Sequence, residues 1–160
     1  RVGSIPVLVV RDVVAGPYRR VLVPVDLSDH SRAAMIFAAS LVPEGEVHLV
    51  HCTDEPFSGF LGAQTLRQHV REEQAQFSKT LDEQVAELTN QLGAAAPKFK
   101  SVMRTGGVSE VVRDELDRLK PDLLALGTHG RTGLAHAIVG SVAENMLADA
   151  PVDVMAVKAR

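Results

Sequence analysis

The sequence predicts a doubly wound α/β domain, and three observations carry that expectation. Short apolar, β-branched runs alternate with segments of helical periodicity along nearly the whole chain. The strand-like runs are apolar at almost every position, as expected of parallel strands covered by helices on both faces. A connection rich in glycine, from Gly127 to Ser141, joins one such run to a helical segment. Connections that long in a compact domain are usually functional or disordered, because ordinary ones run to about 4–6 residues.

Ile5–Val10 reads as a short strand, broken by Ala15-Gly-Pro-Tyr18. Val21–Val25 is the next strand, closed by Asp26-Leu-Ser-Asp29, where Ser28 is positioned to cap a helix over His30–Ser40. Ala34, Phe37, Ala38 and Leu41 form the expected buried stripe of that helix. Val47–Cys52 is a strand, and Thr53–Gly62 a loop expected to lie near the strand ends as a flap. From Thr65 to Leu92, apolar residues at Leu66, Val70, Phe77, Leu81, Val85, Leu88 and Leu92 recur at helical steps. The charges between them read as a solvated face. Lys98–Met103 is a strand; Gly106-Gly107 turns into a helix over Ser109–Leu119 with Val111, Val112, Leu116 and Leu119 inward. Asp122–Leu126, a helix from Val142 and the strand Val152–Val157 complete the order.

Composition bounds the function. With 160 residues the chain has the size of one domain, able to bury close to 70% of its unfolded surface. A net charge of −3 with scattered basic residues, and only 4% aromatic residues, argue against a nucleic-acid partner. No apolar run approaches the ~20 residues of a membrane span, so no membrane partner is expected. The single cysteine, Cys52, fits a reducing, cytoplasmic setting. His48 and His51 lie three apart on a strand and so point to opposite faces, while His30, His69 and His136 show no matching partners. No protein-held metal is expected.

The chemistry concentrates at the glycine-rich connection. Glycines let backbone N–H groups approach a ligand without a Cβ in the way, and the helix that follows offers unpaired donors and the positive end of its dipole. Phosphate is the matching guest, and Arg131 within the loop is a further candidate contact. There is no GxxxxGK followed by Ser or Thr and no GxGxxG, so neither the P-loop nor the usual dinucleotide fingerprint is present. In an open α/β sheet the ligand lies at the carboxyl ends of strands where the strand order reverses. If the strands at Val21 and Asp122 are neighbours, Asp26 and Gly127 meet at one crevice. Asp26 then either accepts hydrogen bonds from a ribose or base, or caps the first helix.

Gly127-x2-Gly130-x9-Gly140-Ser141 resembles the G-2x-G-9x-G-S/T signature of the ATP-binding branch of the universal stress protein family. Val21-Leu-Val-Pro-Val-Asp26 resembles that family's opening strand and acidic turn, and the element order agrees from about Arg19 to Lys158. The resemblance implies a five-stranded parallel sheet in the order 3-2-1-4-5 with ATP across the ends of strands one and four. Pro24, Val25 and Asp26 would line the adenosine, and the Cys52 backbone would meet the adenine edge. Gly127 and Gly130 would approach ribose and phosphates. Gly140, Ser141 and Val142 would take the phosphates, with Mg²⁺ held mainly through them. Some ATP-binding members carry Thr or Ser where this chain has Ala143, which removes one phosphate hydrogen bond. No residue set for catalysis is recognisable, so any ATP hydrolysis is expected to be slow. The alternative is a nucleotide-independent dimeric interaction protein of the same fold.

Ile5-Pro-Val-Leu-Val-Val10 echoes Ala150-Pro-Val-Asp-Val-Met155. Residues 1–16 are therefore expected to be the tail strand of a preceding copy of the domain, with residues 17–160 the nucleotide-binding domain. The last strand, Val152–Val157, is a sheet edge and the implied homodimer contact. Ile5–Val10 is expected antiparallel beside it, from the same chain or a partner.

Overall fold

The computed structural model describes residues 6–11, 16–53, 63–129 and 140–159, with side chains omitted for 63–67. In chain order the elements are β1 (Val7–Val9), β2 (Arg20–Pro24), α1 (Asp29–Leu41), β3 (Glu46–Thr53), α2 (Ala63–Leu92) and β4 (Lys98–Thr105). They continue with α3 (Val108–Leu119), β5 (Leu123–Gly127), α4 (Ser141–Asp149) and β6 (Asp153–Val157). The expected flap, 54–62, and residues 130–139 of the glycine-rich connection lie outside the described residues.

The strands form one sheet in the order β1-β6-β5-β2-β3-β4. Every pair from β6 to β4 is parallel, and those five strands take the order 3-2-1-4-5 that the resemblance implied. β1 extends the sheet antiparallel to β6, with Val7 opposite Ala156 and Val9 opposite Val154. The pairing is within the chain, so β1 and not the last strand is the sheet edge, which corrects the expectation for Val152–Val157. Asp153 secures this corner, accepting 2.7 Å hydrogen bonds from the Arg11 amide and the Tyr18 hydroxyl. Partial burial, reinforced by the Asp153 carboxylate, pushes the Tyr18 phenol up to about 12.

The side-chain alternation of the strands divides the core between the two faces. Val21, Val23, Leu49, Leu123 and Ala125 pack with Met35 of α1 and Phe77, Leu81 and Leu88 of α2. Leu22, Val50, Leu124, Leu126 and Val154 pack on the other face with Val112 and Leu116 of α3 and Met146 of α4. The α2 stripe is the expected one where its side chains are described, and Arg71, Glu72, Glu73, Lys79, Asp82, Glu83 and Glu87 are exposed as expected.

One detail of α1 corrects the sequence reading, and one of α3 was not anticipated. In α1 the buried face is Ser31, Ala34, Met35, Ala38 and Ala39, whereas Phe37 and Leu41 are exposed. Small side chains on that face let the helix backbone approach the sheet closely, which bulky Phe37 and Leu41 would prevent. In α3, Glu115 is buried beside Val111, Val112 and Leu116. It is paired to Arg104 and Arg118.

Candidate functional site

β2 and β5 are hydrogen-bonded neighbours, with Val21 opposite Leu123 and Leu22 opposite Leu124. From β2 the chain crosses through α1 to β3 on one side; from β5 it crosses through α4 to β6 on the other. The carboxyl ends of β2 and β5 are therefore the point at which the strand order reverses, where ligands of such sheets bind. Asp26 and Gly127 lie at these two ends.

The β2–α1 turn is held by its own polar side chains. Leu27 sits at φ 63°, a left-handed conformation unfavourable for a bulky residue. Across that bend one carboxylate oxygen of Asp26 accepts the Ser28 amide at 3.0 Å and the Ser28 hydroxyl at 2.6 Å. The Ser28 hydroxyl oxygen in turn accepts the Ser31 amide at 3.2 Å, capping α1. The Ser31 hydroxyl donates to the Ser28 carbonyl at 3.1 Å, and the Asp26 amide to the Ser31 hydroxyl at 3.3 Å. Asp26 thus supports the helix cap.

Pro24 ends β2 and is half-buried. Val25 is buried, its amide donating to the Val50 carbonyl at 2.8 Å and its carbonyl accepting from His51 Nδ1 at 2.9 Å. That bond fixes the His51 ring, which stacks on Phe77 at 3.5 Å between centroids. His48 lies on the opposite face, bonded to Glu46, as the strand period required. Cys52 is half-buried near the end of β3, against the α3/α4 side of the core.

Across the crevice, Gly127 has a physical requirement to be glycine. A Cβ there would lie 2.7 Å from the carbonyl carbon of His30 and 2.8 Å from the Ser31 amide nitrogen. The end of β5 is pressed against the first turn of α1. Gly140 is similarly placed: its amide donates to the Thr128 carbonyl at 2.6 Å, closing the base of the loop, and a Cβ would approach that same oxygen to 3.0 Å.

α4 begins differently from α1. Gly140 is its N-cap and supplies no side-chain acceptor. The first helical bond runs from the Glu144 amide to the Gly140 carbonyl, so the amides of Ser141, Val142 and Ala143 have no partner within the helix. Ser141 is exposed, Val142 half-buried and Ala143 buried. This is an arrangement that accepts an anion. Gly130 and Arg131 lie outside the described residues.

Sequence reasoning missed one cluster here. His30 has partners after all: its Nδ1 accepts the Ala159 amide at 3.0 Å, and its ring lies 5.0 Å from that of His129. The Thr128 hydroxyl is 3.1 Å from His129 Nδ1 and 3.4 Å from His30 Nδ1. Burial, followed by the neighbouring His129, lowers the His30 pKa and favours the neutral ring that accepts the Ala159 amide. The available signal was conditional: once β2 and β5 are neighbours, a histidine in the first turn of α1 and one inside the glycine loop must approach each other.

The universal stress protein family model matches residues 17–158. The chain belongs to the universal stress protein family. A universal stress protein of Methanocaldococcus jannaschii is 29% identical over 146 residues, spanning 88% of this chain and 82% of its own. Among solved structures, universal stress protein UspA from Lactobacillus plantarum superposes with a TM-score of 0.76 at 22% identity, covering 89% of this chain and 99% of its own. A universal stress protein in complex with cAMP gives 0.65 at 21% identity, covering 91% of this chain and 100% of its own. An Arabidopsis thaliana family member with AMP bound gives 0.60 at 17%, covering 89% of this chain and 92% of its own. These structures share the fold of this universal stress protein domain.

Proposed function

We propose that this universal stress protein domain is a regulatory, stress-response module that binds ATP in the crevice at the ends of β2 and β5, with Mg²⁺ held mainly through the phosphates. The observation that carries the reading is the N-terminus of α4: a glycine cap without a side-chain acceptor, at the end of the Gly127–Ser141 connection. Gly127 and Gly140 shape that crevice, because a Cβ at either would strike the backbone of α1 or the Thr128 carbonyl. Family members with AMP or cAMP bound support a nucleotide as the class of ligand. Asp26 supplies acceptor capacity for a ribose, while the cap it supports holds the turn in shape. No side chain is assigned a catalytic part, so hydrolysis is at most slow.

A second reading, a nucleotide-independent interaction protein, is favoured by one observation. The Val25 amide and carbonyl and the Gly140 amide are already hydrogen-bonded within the chain. In either reading homodimerisation is assigned to the β1 edge, since β1 covers the outer side of β6 and leaves Val7 and Leu8 exposed.

The test is calorimetric titration of ATP with Mg²⁺ into the protein and into a folded Gly130→Val variant. Saturable binding that the variant loses supports the nucleotide reading. A folded parent that binds no ATP, ADP or AMP at millimolar concentration replaces it with the interaction-protein reading.

A further inference from the structure

The α3/α4 face of the sheet is apolar over β5, β2 and the middle of β3, and becomes charged where it passes from under α3 toward β4. On β3, Glu46 and His48 precede Val50 on the same face; on β4, Lys100 and Arg104 flank Val102. With Arg20 from β2 and Arg118 from α3, Glu46, His48, Lys100, Val102 and Arg104 line a concavity of about 550 Å³.

The charges are ordered by two carboxylates. Glu46 accepts from Lys100 Nζ at 2.7 Å, from His48 at 3.0 Å and from Arg20 Nε at 3.2 Å. Glu115, buried beneath, accepts from Arg104 Nε at 2.9 Å and from Arg118 Nε at 3.1 Å. Hydrogen bonds from Lys100 and then His48 hold the Glu46 carboxyl down at about 2, so it stays ionised at any physiological pH. Four permanent cations therefore face two carboxylates. Among these described side chains two positive charges are in excess, in a concavity, on a chain whose net charge is −3.

We infer that this concavity binds a small phosphorylated anion. A phosphoryl dianion matches the surplus of two charges, and its oxygens suit donors converging from separate elements. The volume falls within the roughly 300–1,000 Å³ of small-molecule sites. The cations are about half exposed, so each presents donors to the concavity while its carboxylate fixes its direction. Confinement of the surplus to one concavity favours a small ligand over a nucleic-acid backbone, which needs an extended basic footprint. The site is built from other residues, on the opposite side of β2 from α1, and does not depend on the nucleotide reading.

The experiment is titration of ¹⁵N-labelled protein with inorganic pyrophosphate at constant ionic strength, followed by amide shifts. Saturable shifts are expected at Glu46–His48, Lys100–Arg104 and Arg118–Leu119. Lys100→Glu, an exposed position, should weaken binding about tenfold or more, and Lys100→Arg should retain it. The inference is overturned if sodium chloride reproduces the shifts, if they fall only on 127–129 and 140–142, or if folded Lys100→Glu binds as the parent does. Absence of saturable shifts at millimolar pyrophosphate overturns it equally.

Discussion

The crevice at the ends of β2 and β5 and the charged concavity beside α3 are built on opposite principles. At the crevice the shape is set by backbone: Gly127 lies where any Cβ would strike the first turn of α1, and Gly140 closes its loop onto the Thr128 carbonyl. At the concavity the shape is set by long side chains from β2, β3, β4 and α3, directed by Glu46 and Glu115. The first should tolerate changes of charge and resist changes of volume. The second should do the reverse.

The largest effect is expected at Gly127→Ala. Its added methyl meets backbone atoms at 2.7 and 2.8 Å, which cannot rotate away, so α1 must shift. A loss of about 3 kcal/mol, with weakened nucleotide binding, should appear in denaturant unfolding and ATP titration. Stability unchanged by that methyl would mean the two elements are less closely pressed together.

Next comes Glu115→Gln, nearly isosteric but uncharged. Its arginine partners are about half exposed and can turn to water, so the cost should be about 1–3 kcal/mol, below that of a fully buried pair. ATP binding should not change. A fall in ATP affinity at constant fold would join two regions that are held here to be separate.

The smaller effects are in pH. Glu46 has a folded value of about 2 against an ordinary 4.5, so the folded state binds fewer protons between them. Its contribution is complete above about 4.5 and is lost as pH falls toward 2, and Glu46→Gln should flatten the stability curve in that window. His30 has a lowered pKa, so again the unfolded chain takes up the proton more readily. Stability should fall as pH drops below 6.5, less steeply in His30→Gln, as followed by urea midpoints. An unaltered slope would remove burial of the His30 ring as a source of that pH dependence.

The same contrast explains what could be read in the sequence. The alternation of strands and helices and the glycine-rich connection were legible because both are local: strand and helix periods lie within short windows, and Gly127, Gly130, Gly140 and Ser141 occupy one connection, whereas the strand order came from the family resemblance. The phase of α1 was not. Ala34, Met35, Ala38 and Ala39 offer a second apolar stripe beside Phe37 and Leu41, and only the close approach at Gly127 decides between them. Glu115 was illegible for a different reason. Its neutralising partner Arg104 belongs to β4, and a glutamate at the edge of an apolar stripe reads as solvated until that partner is in place.

The most direct measurement is amide shift mapping of the labelled protein with ATP and Mg²⁺. Saturable shifts are expected at Val25, Asp26, Gly127, Thr128, Ser141 and Val142. Saturable shifts confined to β4 and α3, or none at any of these amides, would contradict a nucleotide site at the crevice.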